Sequence, residues 1–302
     1  MSEIASAGTA LVETALAKVN LSLRVLGRRP DGYHELESVV AFATTGDRVS
    51  LVPGPAFALH VDGPFQTALA GENLVTKAVR LTAEAAAAVG GRLLSGHIQL
   101  TKTLPVAAGL GGGSADAAAV LRLLQRANPG LAGQLDWPHL ALQLGADVPI
   151  CLVARAALMT GIGERLFPIA ELPPAAILLA NPRVPLSTAD VFRALAARAV
   201  AGAAPASLQP LAQPPAFRDF EHMIAVLQAS GNDLEPVALR LCPPVGEVLA
   251  CLARLPGARL VRMSGSGPTC FAVFATVAAA AAAAEALRQS QPIWWIAAAS
   301  LQ

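Results

Sequence analysis

Four glycines crowd into five positions of the segment Leu104-Pro105-Val106-Ala107-Ala108-Gly109-Leu110-Gly111-Gly112-Gly113-Ser114-Ala115-Asp116. Glycine adopts left-handed turns without strain and lets backbone N–H groups approach an anion with no side chain in the way. The alanine- and leucine-rich residues 114–127 that follow predict a helix. Its N-terminus would add unpaired amide donors and the positive end of a dipole, so phosphate could be held without much charge on the protein. A glycine loop before a helix also serves as a plain tight connection, so both readings stay open on this segment alone.

Familiar nucleotide motifs do not account for the loop. A Walker A loop needs Lys after its last glycine, but Ser114 follows Gly113 and the chain has no Gly-Lys pair. The dinucleotide fingerprint G-x-G-x-x-G would place its third glycine at Ser114, and the loop lies deep in the chain. Neither H-R-D nor D-F-G of the protein kinases is present.

Bulk composition narrows the class further. The chain has 302 residues, 54% hydrophobic and 14% charged, which describes a packed globule and not a disordered chain. With 22 basic and 21 acidic residues the net charge is +1, so no overall field steers it toward nucleic acid or an anionic membrane. Any anion must be bound by local design. Cys151, Cys242, Cys251 and Cys270 form no C-x-x-C pair and have no His at ligand spacing. They read as free thiols of a reducing cytosol, not a zinc site or a disulfide framework. Glu3 and Glu13 bracket a start without a basic region, so no signal or transit peptide is expected. The most apolar run, residues 269–284, is mostly alanine and shorter than the ~20 residues that span a bilayer. The expectation is a cytoplasmic protein with neither nucleic-acid nor membrane partners.

Along the chain, alternation predicts strands at 17–26 and 47–52, separated by the connection Gly27-Arg28-Arg29-Pro30-Asp31-Gly32. Residues 73–89 predict a helix with Asn73 as N-cap and Gly90-Gly91 as its stop. A strand at 97–102 then feeds the glycine loop. A helix at 138–144 should stop at Gly145, leaving Asp147 in a turn before a strand at 150–153. Strands at 175–179, 260–263 and 269–274, a helix from about 188, a proline-rich surface segment at 205–215 and a final alanine-rich helix complete the pattern. A boundary near 155–165 divides the chain into domains 1–160 and 161–302.

Three blocks together resemble the signature motifs of the GHMP kinase superfamily in order and spacing: Ala17-Lys18-Val19-Asn20-Leu21, the segment from Pro105 to Ala118, and Ser264-Gly265-Ser266-Gly267. Pro30-Asp31-Gly32-Tyr33-His34, Leu144-Gly145-Ala146-Asp147-Val148-Pro149 and Gly231-Asn232-Asp233-Leu234-Glu235 are similar to a branch whose acceptor alcohol carries a cytidine diphosphate. The resemblance spans roughly residues 16–298. It implies an α/β or α+β two-domain kinase with a mixed-sheet amino-terminal domain, using ATP and Mg²⁺ on a small molecule, as a monomer or weak homodimer.

Residue by residue, the resemblance makes Asp147 the base for the attacking hydroxyl and Lys18 its cationic partner. Taken alone, Asp147 would be a turn former and Lys18 a strand-edge lysine, although only three lysines exist in the chain. Pro105, Ala107, Ala108, Gly109, Leu110, Gly111, Gly112, Gly113 and Ser114 would cradle the ATP phosphates. Asn20 and Asn73 match asparagines of the nucleotide site, Asn73 toward the adenine and Asn20 toward the acceptor, while Asn73 equally suits its N-cap position. Tyr33 and His34 would take a cytosine, with Phe192 on the other side of the ring and Thr188 on a phosphate. Lys102 and Gly265 would border the substrate, although Lys102 equally reads as a strand-end lysine facing water. Gly112 and Gly113 stand where many members of the superfamily carry a magnesium-binding serine, so no metal ligand is assigned. Other kinases of the superfamily, for homoserine, mevalonate or a sugar, would keep the loop without needing Tyr33-His34. A non-catalytic nucleotide binder on the same fold is the further alternative.

Overall fold

The computed structural model describes residues 9–66, 73–200, 211 and 213–302. Its elements run β1 (Leu11–Asn20), β2 (Arg24–Arg28), β3 (His34–Val52), β4 (Ala58–Asp62), α1 (Leu74–Ala88), β5 (His97–Thr101), α2 (Gly112–Ala127), α3 (Trp137–Leu144) and α4 (Val148–Val153). They continue with β6 (Ala157–Gly161), β7 (Arg165–Pro168), β8 (Ala175–Asn181), α5 (Thr188–Val200), α6 (Phe220–Ala229), α7 (Glu235–Leu241), α8 (Pro244–Ala253), β9 (Leu260–Met263), β10 (Cys270–Phe274), α9 (Val277–Ser290) and β11 (Trp295–Leu301).

The chain packs as two compact units, each built from separated segments. The first takes residues up to Ala15, Gly46–Val106 and Gly112–Leu152; the second takes Leu16–Thr45, Ala107–Gly111 and Val153–Gln302. β1 and β3 each lend their two halves to different units. Leu16–Thr45 and Ala107–Gly111 therefore fall in the same unit as Val153–Gln302.

In the first unit, β5 lies between β4, to which it is parallel, and the second half of β3, to which it is antiparallel. β5 alternates, with Ile98 and Leu100 buried and His97 and Gln99 exposed, as a half-covered strand must. α2 is buried from Ala115 to Leu121 without a break and again at Leu123 and Leu124, so it is a core helix, not a surface one. Its alanines let α1 and α3 pack close against it. α1 buries Val75, Ala78, Val79, Thr82 and Ala86, one stripe at helical spacing.

In the second unit, β8 is buried along its whole length between β10 and β11, both antiparallel to it, and its near-continuous apolar run follows from that burial. β9 extends β10, while β11 meets the first half of β3 at Leu301 and Ala43. β2 and β6 also pair with this half of β3. Leu178, Phe274, Val248, Leu252, Ala284 and Leu287 form part of one core under α8 and α9.

Two expectations are corrected. Residues 150–153 belong to helix α4 and not to a strand; a four-residue apolar run does not distinguish the two, and Pro149 is tolerated in a first helical turn. Residues 17–26 are two strands, because the chain leaves β1 after Asn20 and Leu23 bridges to Asn232. The helix expected from residue 114 starts at Gly112, so two of the loop glycines already lie in its first turn. The proline-rich segment expected at 205–215 falls largely outside the described residues.

Phe274 is fully buried, whereas Val277 is 54% exposed. Phe274→Ala is expected to destabilise the fold by ~3–5 kcal/mol, and Val277→Ala by no more than ~0.5 kcal/mol, measured as denaturant-unfolding shifts.

Candidate active site

In the second unit, the Ser264 hydroxyl donates to the Gly109 carbonyl at 2.9 Å and accepts the Asn20 backbone N–H at 3.1 Å. The end of β1, the glycine loop and the turn after β9 therefore meet on one fully buried side chain. Backbone bonds reinforce the junction: Lys18 N donates to Leu110 O at 2.9 Å and Thr269 N to Ala108 O at 3.2 Å. At Gly109, with φ +74°, a Cβ would stand 2.3 Å from the Ser264 carbonyl oxygen, so only glycine fits.

The turn is braced from behind. Asn232 Nδ2 donates to the Met263 and Gly265 carbonyls, both at 2.8 Å, and its Oδ1 accepts Leu234 N at 3.0 Å. Glu235 Oε2 accepts Met263 N at 2.8 Å. Asn20 spends its side-chain N–H on Ser38 Oγ at 2.7 Å, leaving its Oδ1 beside Gly265. Lys18 is buried on β1 with its aliphatic stem against Gly111. Asp147 belongs to the first unit, in the turn before α4, where it is half-buried and its carbonyl accepts Cys151 N at 3.3 Å.

A second group gathers Tyr33, His34 and Phe192 around a cavity of about 590 Å³ in the second unit. His34 and Phe192 stack with ring centroids 4.9 Å apart. Tyr33 is 61% exposed, and its backbone N–H is accepted by Asp31 Oδ1 at 3.1 Å, the turn that the Pro30-Asp31-Gly32 sequence builds. Burial, and then the charge of Arg28, hold the His34 pKa below its ordinary value, so the imidazole is neutral at pH 7. Arg28 and Arg193 line the same cavity, and sequence reasoning missed both. The Thr188 hydroxyl shares a 2.8 Å hydrogen bond with Ser266, tying the start of α5 to the turn.

The first unit places two expected residues differently from an open ligand contact. Asn73 caps α1, its Oδ1 accepting Val75 N at 2.9 Å. Lys102, 2% exposed, does not face water, and its ammonium is held by Asp47 and, at 2.6 Å, by Asp116. Asp47 Oδ1 also accepts the backbone N–H groups of Thr103 at 2.5 Å and Leu104 at 2.8 Å. Neither acidic residue was singled out from sequence. Asp116 lies inside the motif that was read, while Asp47 sits in β3 with no local signal of its partners.

Two carboxylates share one ammonium here. Burial, opposed by Lys102 and assisted by Asp47, pushes the Asp116 pKa up to about 7. Burial alone would lower the Lys102 pKa, but Asp116 and Asp47 outweigh it and raise the value. Among the described residues no group of three or more His, Cys, Asp or Glu side chains is arranged to hold a metal ion. No helix among them is long and apolar enough to cross a membrane. All four cysteines are free.

Folded protein keeps the Asp116 proton up to about pH 7, whereas an unfolded chain loses it near 4, so ionisation there favours the unfolded state. This group is therefore expected to make stability fall as pH rises between those values and level off above. Asp116→Asn should flatten that slope in denaturation midpoints measured across the window. An unchanged slope in the variant would assign the pH dependence to other groups.

Comparison with known proteins agrees with this geometry. The family model described as GHMP kinases N terminal domain matches residues 73–155, and GHMP kinases C terminal matches 208–293. The chain is 50% identical over 300 residues to the 4-diphosphocytidyl-2-C-methyl-D-erythritol kinase of Bradyrhizobium diazoefficiens, covering 97% of this chain and 98% of that one. It is 49% identical over 297 residues to the enzyme of the same name from Nitrobacter hamburgensis, covering 97% and 96%. A crystal structure of 4-(cytidine 5'-diphospho)-2C-methyl-D-erythritol kinase superposes with a TM-score of 0.73 at 36% identity, covering 96% of this chain and 99% of the other. Homoserine kinase from Cytophaga hutchinsonii, at 18% identity and a TM-score of 0.66 over 99% and 97% of the two chains, shares the fold. The chain belongs to the GHMP kinases, and within them to the 4-diphosphocytidyl-2-C-methyl-D-erythritol kinase family.

Proposed function

We propose that the protein transfers the γ-phosphoryl group of ATP to the 2-hydroxyl of 4-diphosphocytidyl-2-C-methyl-D-erythritol, a step of the non-mevalonate route to isoprenoid precursors. The observation that carries the substrate assignment is the cavity of Tyr33, His34 and Phe192 with Arg28 and Arg193 on its wall. Flat rings beside two guanidinium groups suit a nucleobase attached to a diphosphate. Homoserine, mevalonate and a simple sugar have no such ring. The neutral His34 imidazole offers both a donor and an acceptor to the edge of a cytosine, and the Thr188 hydroxyl, at the start of α5 and hydrogen-bonded to Ser266, would serve a phosphate oxygen.

The glycine loop suits a triphosphate on two counts. The crowding at Gly109 leaves backbone and not side chains facing the anion, and α2 opens on Gly112-Gly113-Ser114 with no acidic residue in its first turn. Amides of residues 109–114, with Pro105, Ala107 and Ala108 shaping the entry, would donate to phosphate oxygens and to the charge that develops on transfer. Magnesium would arrive bound to the triphosphate, where it would supply charge neutralisation.

Asp147 accepts the proton of the attacking hydroxyl as the new O–P bond forms and the bond to the β-phosphate oxygen breaks, releasing ADP. Lys18 is its cationic partner in this reading and would help orient the acceptor hydroxyl. Asn20 and Gly265 border the acceptor, and Asn73 stands toward the adenine end. Free thiols fit a reducing cytoplasm. The acting species is a monomer or weak homodimer whose partners are small molecules, not nucleic acid or membrane.

The decisive experiment is ADP release from Mg²⁺-ATP with 4-diphosphocytidyl-2-C-methyl-D-erythritol, homoserine, mevalonate or galactose as acceptor. Turnover with the cytidyl substrate alone is expected; turnover with another alcohol would discard the cytosine pocket. Asp147→Asn should keep ATP binding and lose about 10²–10⁴-fold in kcat. Phe192→Ala should raise KM for the cytidyl substrate about tenfold, the weight of one lost aromatic stack, and leave KM for ATP unchanged.

A further inference from the structure

The buried cluster of Asp47, Lys102 and Asp116 has no role in the chemistry above. Its cost is unusual: three ionisable side chains are withdrawn from water, and Asp116 Oδ1 is buried with no hydrogen-bond partner. Apolar residues of similar volume would fill such a space with equal or better stability, so stability alone is a poor account of it. What charged groups supply and apolar ones do not is directed, short-range geometry.

That geometry is aimed at the two ends of the glycine loop. On the entry side, Asp47 Oδ1 takes the N–H groups of Thr103 and Leu104, and the Thr103 hydroxyl donates to Gly46 O at 2.8 Å. On the exit side, the Lys102 ammonium holds Asp116 in α2. The helix start closes over the cluster: a Cβ on Gly112 would lie 3.7 Å from Lys102 Nζ and 3.8 Å from Asp47 Oδ2. One ammonium, flanked by two carboxylates, therefore joins the segment before the loop to the helix after it.

We propose that Asp47, Lys102 and Asp116 are positioning residues that set the spacing between the two ends of the glycine loop, and so its affinity for the phosphates of a nucleoside triphosphate, without touching the ligand. This deepens the kinase assignment and rests on it. Loop amides that must converge on one phosphate are sensitive to small displacements of their anchors, and shifts of about 1 Å in a positioned group can cost up to about a hundredfold. The rest of the nucleotide does not depend on that convergence, so adenosine should not register the change.

The test compares ATP and adenosine binding by calorimetry, with steady-state kinetics, for wild type and Asp116→Asn, a nearly isosteric change that breaks one arm of the cluster. Expected are an ATP Kd and KM raised about tenfold, with adenosine Kd and the KM of the acceptor alcohol little changed. Asp47→Asn, which keeps a carbonyl oxygen for the two backbone N–H groups, should move the same constants the same way and carries the test should the first variant fail to fold. Variants that melt earlier yet bind ATP as wild type does would make the cluster merely structural and overturn the proposal. Wild-type protein that binds no ATP would overturn the kinase assignment and this inference with it.

Discussion

The hydroxyl of Ser264 is the point on which the second unit's chemistry depends. It accepts from the backbone beside Asn20 and donates to the carbonyl of Gly109, so three stretches of chain separated by up to 244 residues share one oxygen. A neutral hydrogen bond of this kind contributes only about 1 kcal/mol net, but leaving either buried backbone group unpaired costs more. The constraint is therefore one of exclusion: the junction tolerates few arrangements other than the one observed. Gly109 is glycine because the Ser264 carbonyl fills the space of its Cβ, and Asn232 is an amide because the turn offers two carbonyls to hold and the Leu234 N–H just before α7 needs an acceptor. The Gly231-Asn232-Asp233-Leu234-Glu235 motif is thus explained as bracing for the turn.

The first unit holds its part of the loop by other means. There the anchors are buried and ionisable, and burial, assisted by the neighbouring Asp47, is why Asp116 retains a proton near neutrality. A strand, the exit of a second strand and a helix are joined with no backbone ladder between helix and sheet. Neutral bonds serve where chain segments cross at carbonyls, and charges serve where a helix must be fixed to a sheet that cannot hydrogen-bond to it.

Much of this was legible in the residues, and the failures share a cause. α1, α2, α3 and the strands around β8 and β10 follow from local periodicity and from caps such as Asn73 and Gly90. The glycine loop was legible because its anomaly is contiguous. Residues 150–153 were mistyped because four apolar residues fit a buried strand or a helix alike. Asp47 was invisible: its partner Lys102 lies 55 positions away, and a lone acid in a strand carries no mark of a buried cation. Lys102 itself was assigned by resemblance to the edge of a ligand site, because motif position conveys neighbourhood but not the direction in which a side chain points. Arg28 and Arg193 became visible only when the β2–β3 connection and α5 were brought to one cavity.

The place of β11 has a consequence for how the molecule is made. Its residues pair along their whole length with β8, and Leu301 and Gln302 close onto β3 at Phe42 and Ala43. On a ribosome, β3 and β8 emerge long before the strand that joins them, and they must wait with open edges until residues 295–302 have cleared the exit tunnel. Until β11 has emerged, this half of the nascent chain exposes strand edges of the kind that molecular chaperones shield.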